Sequence, residues 1–259
     1  MLQKLRTIAL ATLLSTSAVY ADGGDFFDIK VGAGSWAVDA PVGAFGNSKT
    51  NTLNLTNDFG IADGTANYMW AEFQHGIPLI PHVRVEFAEM TFAGSSTSTI
   101  TFGPYSFDAN VTSNLVLDNV DVIAFWDFGF DDIVDFNFGA GAKVIVGELQ
   151  GEVSGVSQTS PIAAAAVYAY LNPRVELPLG FGVDLAYKWY PGGLTLEGDL
   201  EFSELIAKVD YTLEWAIFKL GVEAGFRSME LTLDLPTDQV YIHTELEGTF
   251  VGAFLKIGI

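Results

Sequence analysis

Residues 134–144 read Val-Asp-Phe-Asn-Phe-Gly-Ala-Gly-Ala-Lys-Val, with every even position apolar and every odd position polar or glycine. A period of two held this long describes an extended strand with two unlike faces, and no helix can carry it. The pattern returns at 27–34, 205–214 and 218–227. Strands of about ten residues exceed the usual mode of about five or six and match the ~9–11 that a bilayer-crossing strand needs. After Ala21 there is no run of 18 apolar residues; the longest candidate is Ile162 to Leu171. A helical inner-membrane protein is therefore excluded, although mean hydropathy is high at +0.32.

The 259 residues carry 12 Lys+Arg against 32 Asp+Glu, a formal charge of −20, which argues against nucleic-acid binding. Hydrophobic residues make up 49%, too many for a disordered chain. There is no cysteine, which removes disulfides, thiolate nucleophiles and Cys-based metal sites. Lys4 and Arg6, an apolar stretch from Leu5 to Tyr20, and Val19-Tyr20-Ala21 have the order of a secretory signal peptide. The expected division is a signal peptide over 1–21 and a barrel over 22–259. Removing the leader leaves 10 Lys+Arg against the same 32 acids.

Ten strands are expected at roughly 26–37, 65–77, 82–93, 115–128, 133–149, 160–173, 180–190, 203–215, 217–230 and 245–259. Connections at 78–81, 129–132, 174–179 and 216 are short. Those at 38–64, 94–114, 150–159, 191–202 and 231–244 are long. Short turns on one side and long loops on the other describe an antiparallel, up-and-down transmembrane barrel of the outer-membrane type, all-β. Eight to twelve strands are possible, since 38–64 and 94–114 have room for a further hairpin. All nine prolines fall in connections or at strand ends on this reading.

The apolar rows fix which parity faces lipid, and the basic residues test that choice independently. Lys30, Arg84, Lys143, Arg174, Lys188, Lys208, Lys219, Arg227 and Lys256 all fall on the opposite, inward row. On the lipid face at mid-depth each would cost about 2–4 kcal/mol. Glu89 alone breaks the rule and is placed at the outer interface. A soluble β-sandwich also alternates, but its polar face is not normally interleaved with glycine as here (Gly32, Gly34, Gly139, Gly141).

Acids share the inward row: Asp28, Glu72, Glu86, Asp121, Asp135, Glu176, Asp184, Asp210, Glu214 and Glu223. Opposite charges in so narrow a space should pair. The expected interior is a charge network that closes the lumen; the alternative is a narrow porin-like channel for small solutes. Trp36, Trp70, Trp126, Trp189 and Trp215, near segment ends, are expected in the two interfacial girdles. No cofactor or metal is expected. The acidic loops are read as solvated, with divalent cations bridging them to lipopolysaccharide as the functional alternative, and no loop has calcium-hand spacing.

Catalysis has little to stand on. His75 and His82 flank the turn on the periplasmic side, which leaves His243, beside Glu245 and near Asp238. An omptin-type hydrolase is the least favoured reading, and no catalytic residue is assigned.

His75-Gly76-Ile77-Pro78-Leu79-Ile80-Pro81-His82-Val83-Arg84 and Glu176-Leu177-Pro178-Leu179-Gly180-Phe181-Gly182 resemble strand–turn–strand elements of a family of small uncharacterised outer-membrane β-barrel proteins of Gram-negative bacteria. The resemblance implies fold and location, with no chemistry to carry over. The expected partners are outer-membrane lipid, lipopolysaccharide and, during insertion, the barrel-assembly machinery, with a monomeric chain and a structural or surface-interaction role. The terminal alternation Val251, Ala253, Leu255, Ile257, Ile259 fits such insertion but ends in Ile, so Phe254 is the candidate aromatic signal.

Overall fold

The computed structural model describes residues 26–258 apart from 78, 103–104, 131–132, 154–155, 191–198, 216–217 and 236–239. The expected signal peptide lies outside the described residues. Twelve strands form one antiparallel sheet: β1 (Phe27–Val38), β2 (Val42–Ser48), β3 (Asn51–Asn54), β4 (Gly64–His75), β5 (His82–Phe102), β6 (Tyr105–Phe130), β7 (Val134–Val153), β8 (Val156–Leu177), β9 (Phe181–Trp189), β10 (Asp199–Trp215), β11 (Phe218–Leu235) and β12 (Val240–Gly258). Ten of them, β1 and β4 to β12, pair with their neighbours, and β1 pairs with β12 from Asp28↔Gly258 to Val38↔Gly248. The ring is a closed ten-stranded antiparallel barrel, as the alternation predicts. The hairpin anticipated within 38–64 exists as β2 and β3, but it adds no stave. It pairs outside the ring, with β2 on β12 at Val42↔Glu245 to Gly46↔Tyr241.

Three of the connections expected to be long loops are strand instead. β5 and β6 stay paired as far as Phe102↔Tyr105, β7 and β8 as far as Val153↔Val156, and β11 and β12 as far as Leu235↔Val240. The reason is a change of phase in the alternation. On β11, Phe218, Leu220, Val222, Ala224 and Phe226 face outward, and then Met229, Leu231 and Leu233 face inward. The strand keeps its geometry while its apolar side changes parity. β10 does the same between Phe202 and Leu205, β5 between Phe87 and Met90, β7 between Val146 and Leu149, and β12 between Leu246 and Val251. Read for a single parity, each strand seems to stop at that point.

The barrel thus has two halves. One carries an apolar belt on its outside. The other carries an apolar core inside, formed by Met90, Phe92, Leu115, Leu117, Leu149, Leu200, Phe202, Met229, Leu231, Leu233, Ile242 and Leu246. The segment after β3 adds to this core: Leu55 and Ile61 are 0% and 1% exposed. It is held by Ala62 N–H donating to Ala93 O (3.1 Å) and Leu55 N–H donating to Gly43 O (3.0 Å). Each large apolar side chain buried there contributes about 1.5–3 kcal/mol.

Two prolines depart from the expected placement, since Pro161 and Pro173 lie inside β8. Neither disturbs a ladder on the β9 side. That pairing begins at Ala169↔Trp189 and is interrupted between Leu171↔Tyr187 and Arg174↔Asp184, so neither proline has a β9 partner in register.

Candidate functional site

Below the apolar core the interior changes to charge. The odd parity of β7 and the even parity of β9 and β10 send Lys143, Lys188 and Glu204 into the centre, at 1%, 1% and 0% exposure. Glu204 Oε2 lies 3.2 Å from Lys143 Nζ and 3.6 Å from Lys188 Nζ, while its Oε1 lies 2.6 Å from Arg227 Nη2. Lys143 also meets Asp121 at 2.6 Å, and Lys188 reaches across from β9 to Glu86 of β5 at 2.6 Å. Tyr168 donates to Asp121 at 2.8 Å and Tyr68 donates to Glu223 at 2.9 Å.

The next layer toward the short turns pairs Arg84 with Glu72 (3.1 Å) and Glu86 (2.6 Å), Lys208 with Glu223 (3.0 Å), and Arg174 with Glu176 (2.7 Å), Asp184 (3.6 Å) and Asp210 (2.6 Å). At the mouth, Lys30 meets Glu72 at 3.4 Å, Lys256 meets Asp28 at 2.9 Å, and Lys219 pairs with Glu214. Asp135 sits across from Arg174 in the β7–β8 register without an ion pair among the described residues. Every base placed inward by parity therefore has an acidic partner. Charges taken out of water need such partners, because an unpaired one costs several kcal/mol.

Room for these side chains comes from glycines opposite aromatics. Gly141 stands opposite Tyr168 and Gly32 opposite Trp70, and a Cβ on either glycine would run into the facing ring. A cavity of about 40 Å³ remains among Trp36, Tyr68, Trp70, Arg84, Lys208 and Arg227. At ~10–15 Å³ each, it has room for roughly three or four waters.

The tryptophans divide into two groups. Trp126, 38% exposed, faces outward and donates from Nε1 to Leu79 O at 3.2 Å. Trp215 is 63% exposed and Trp189 stacks on Tyr187 at 5.4 Å. Trp36 and Trp70, expected in the girdles, are interior instead, at 0% and 6% exposure. Arg227 lies over the Trp36 ring at 4.8 Å and Arg84 over Trp70 at 4.3 Å. Their even parity, shared with Lys30 and Glu72, puts them inside, whereas nearness to a segment end had suggested the rim. Phe254 is likewise inward, with its ring 6.1 Å from that of Trp70, so it is not an outward-facing aromatic signal.

Glu204 is the residue that sequence reading missed. It has the parity of Lys208 and Asp210, but it sits at the edge of the expected 203–215 segment, where parity carried least weight.

Of the histidines, His82 places Nε2 3.1 Å from Asp127 Oδ1, beside the short turn. His243 faces outward on β12, with Nδ1 2.9 Å from Thr232 Oγ1 and Nε2 3.7 Å from Glu245 Oε1. Asp238, the third member of that candidate group, lies outside the described residues.

No known family's model matches the chain, and no curated protein matches it either. Several solved structures resemble it over most of its length. Neisserial surface protein A is 11% identical, with a TM-score of 0.31, covering 92% of this chain and 100% of that one. The transport unit of the autotransporter AIDA-I from Escherichia coli is 10% identical, with a TM-score of 0.41, covering 98% and 96%. A Pseudomonas aeruginosa FadL homologue is 8% identical, with a TM-score of 0.31, covering 90% and 90%. At TM-scores of this size the likenesses carry no argument about what the chain does.

Proposed function

We propose that the chain is a bacterial outer-membrane barrel, closed to solutes, with one half in lipid and the other standing above it as a solid lobe with a structural or surface-interaction role. The phase change carries this reading. On β11 the outward apolar stretch runs from Phe218 to Phe226, and on β10 from Leu205 to Trp215. Those lengths match the ~9–11 residues of a bilayer-crossing strand. An apolar belt outside a charged interior is the inverse of a water-soluble barrel, and it is stable only against hydrocarbon. Beyond the belt the ordinary arrangement returns, apolar within and polar without, as it must in water. On this reading the short turns lie at the periplasmic rim of the belt.

The closed reading is supported by what fills the interior: the apolar core with Leu55 and Ile61 above, and the cross-braced ion pairs below. Two measurements test the proposal. Fractionated cells should yield the protein in outer membranes, running at different positions on a gel before and after boiling; recovery from soluble periplasm would reject the location. Purified protein in planar bilayers should give no stable single-channel steps, and regular steps would favour the solute-channel reading instead.

A further inference from the structure

Just above the belt, on the outer face of β11 and β12, two carboxylates stand directly opposed. Glu230 pairs in register with Glu245, both exposed and on the same side of the sheet. Like charges directly across a ladder destabilise it unless something neutralises them. Among the described residues no Lys or Arg is ion-paired with either. Nearby Asp234 has Lys49 at 3.5 Å, and Glu247 accepts from Ser228 Oγ at 3.2 Å. What does lie beside the pair is an imidazole. One ligating atom each from Glu230, His243 and Glu245 lie within 4.8 Å of one another.

The imidazole is also oriented. Thr232 stands opposite His243 in register, and its Oγ1 holds Nδ1 at 2.9 Å, leaving Nε2 turned to the carboxylates. With Nδ1–H donating to Thr232, Nε2 keeps its lone pair, which is the usual arrangement of a metal-bound histidine with its outer-shell partner. β2 backs the same stretch, His243 opposite Ala44 and Glu245 opposite Val42, so the spacing is set by sheet on both sides.

We propose that Glu230, His243 and Glu245 bind one divalent transition-metal ion of the zinc class, with water completing its shell. One nitrogen and two carboxylate oxygens suit zinc better than calcium or magnesium, which take oxygen alone. Zinc–ligand bonds of about 2.0–2.2 Å put tetrahedral ligands ~3.4 Å apart, close to the observed His243–Glu245 separation of 3.7 Å. The site stands whether or not the barrel conducts.

Untagged protein, folded in detergent and stripped with EDTA, should take up one Zn²⁺ per chain by calorimetry. His243→Ala and Glu245→Gln should each weaken binding about tenfold or more, and Thr232→Val about tenfold. Glu247→Gln, on the same face, should leave it unchanged. Each variant is first checked for a heat-modifiable gel band. Wild-type protein gives a second reading that depends on no variant: Zn²⁺ should protect His243 from diethyl pyrocarbonate and leave His75 and His82 unaffected. No uptake of zinc, unchanged affinity in His243→Ala, an equal loss in Glu247→Gln, equal competition by Mg²⁺, or no protection of His243 would overturn the proposal.

Discussion

Glu204 is the carboxylate on which three cations converge, and Arg227 has no other ion-pair partner among the described residues. Lys143 and Lys188 keep Asp121 and Glu86 when Glu204 is neutralised. Arg227 is left buried and unpaired. Glu204→Gln should therefore cost about 3–5 kcal/mol in urea unfolding, the usual penalty for breaking a buried pair from one side. Pairing it with Arg227→Met should recover most of that loss, because the stranded charge goes too. Parity made this interior largely legible: it puts the nine bases inside, and each meets a carboxylate there. Parity also carried the answer for Trp36 and Trp70, where nearness to a segment end was given more weight. Which acid meets which base was not legible, since contacts such as Lys188 with Glu86 cross the barrel between strands that are not neighbours.

At the scale of the strand, the proposed membrane placement makes the phase change the point where hydrocarbon ends. Val222 and Ser228 lie on the same face of β11, one inside the belt and one beyond it. Val222→Lys should cost about 2–4 kcal/mol and Ser228→Lys about 0–1 kcal/mol, measured by unfolding from lipid vesicles. Equal costs would place the boundary elsewhere. The starts and turns of most strands were legible because proline and glycine mark the short connections. The outer ends were not, because a rule of one apolar parity per strand fails where the apolar side passes from the outer face to the inner one. The Glu230–His243–Glu245 group was legible only in part, for a different reason: the sequence sets His243 beside Glu245 but leaves Glu230 apart. Glu230 sits on β11 and the other two on β12, and only register brings them together.

For the whole molecule, closure of the ring rests on β1 against β12, and the β2–β3 hairpin is an addition to that seam. Replacing residues 42–54 by a short Gly-Ser linker should leave a heat-modifiable barrel that melts at a lower temperature. The excision is geometrically mild, because Leu55 N–H already lies 3.0 Å from Gly43 O. Loss of the folded band would show the hairpin to be part of the ring after all.

The first and last segments of this chain meet along one continuous line. β12 is bonded to β1 up to Val38 and Gly248, and beyond that to β2 from Val42 and Glu245. A seam of this kind resembles a zip with a hook fastened across its open end. Fraying that starts at the end remote from the short turns must lift the hook before the first tooth can part. The junction between the first and last strands of the ring, ordinarily the weakest line in a cylinder of strands, is here guarded at the end remote from the short turns.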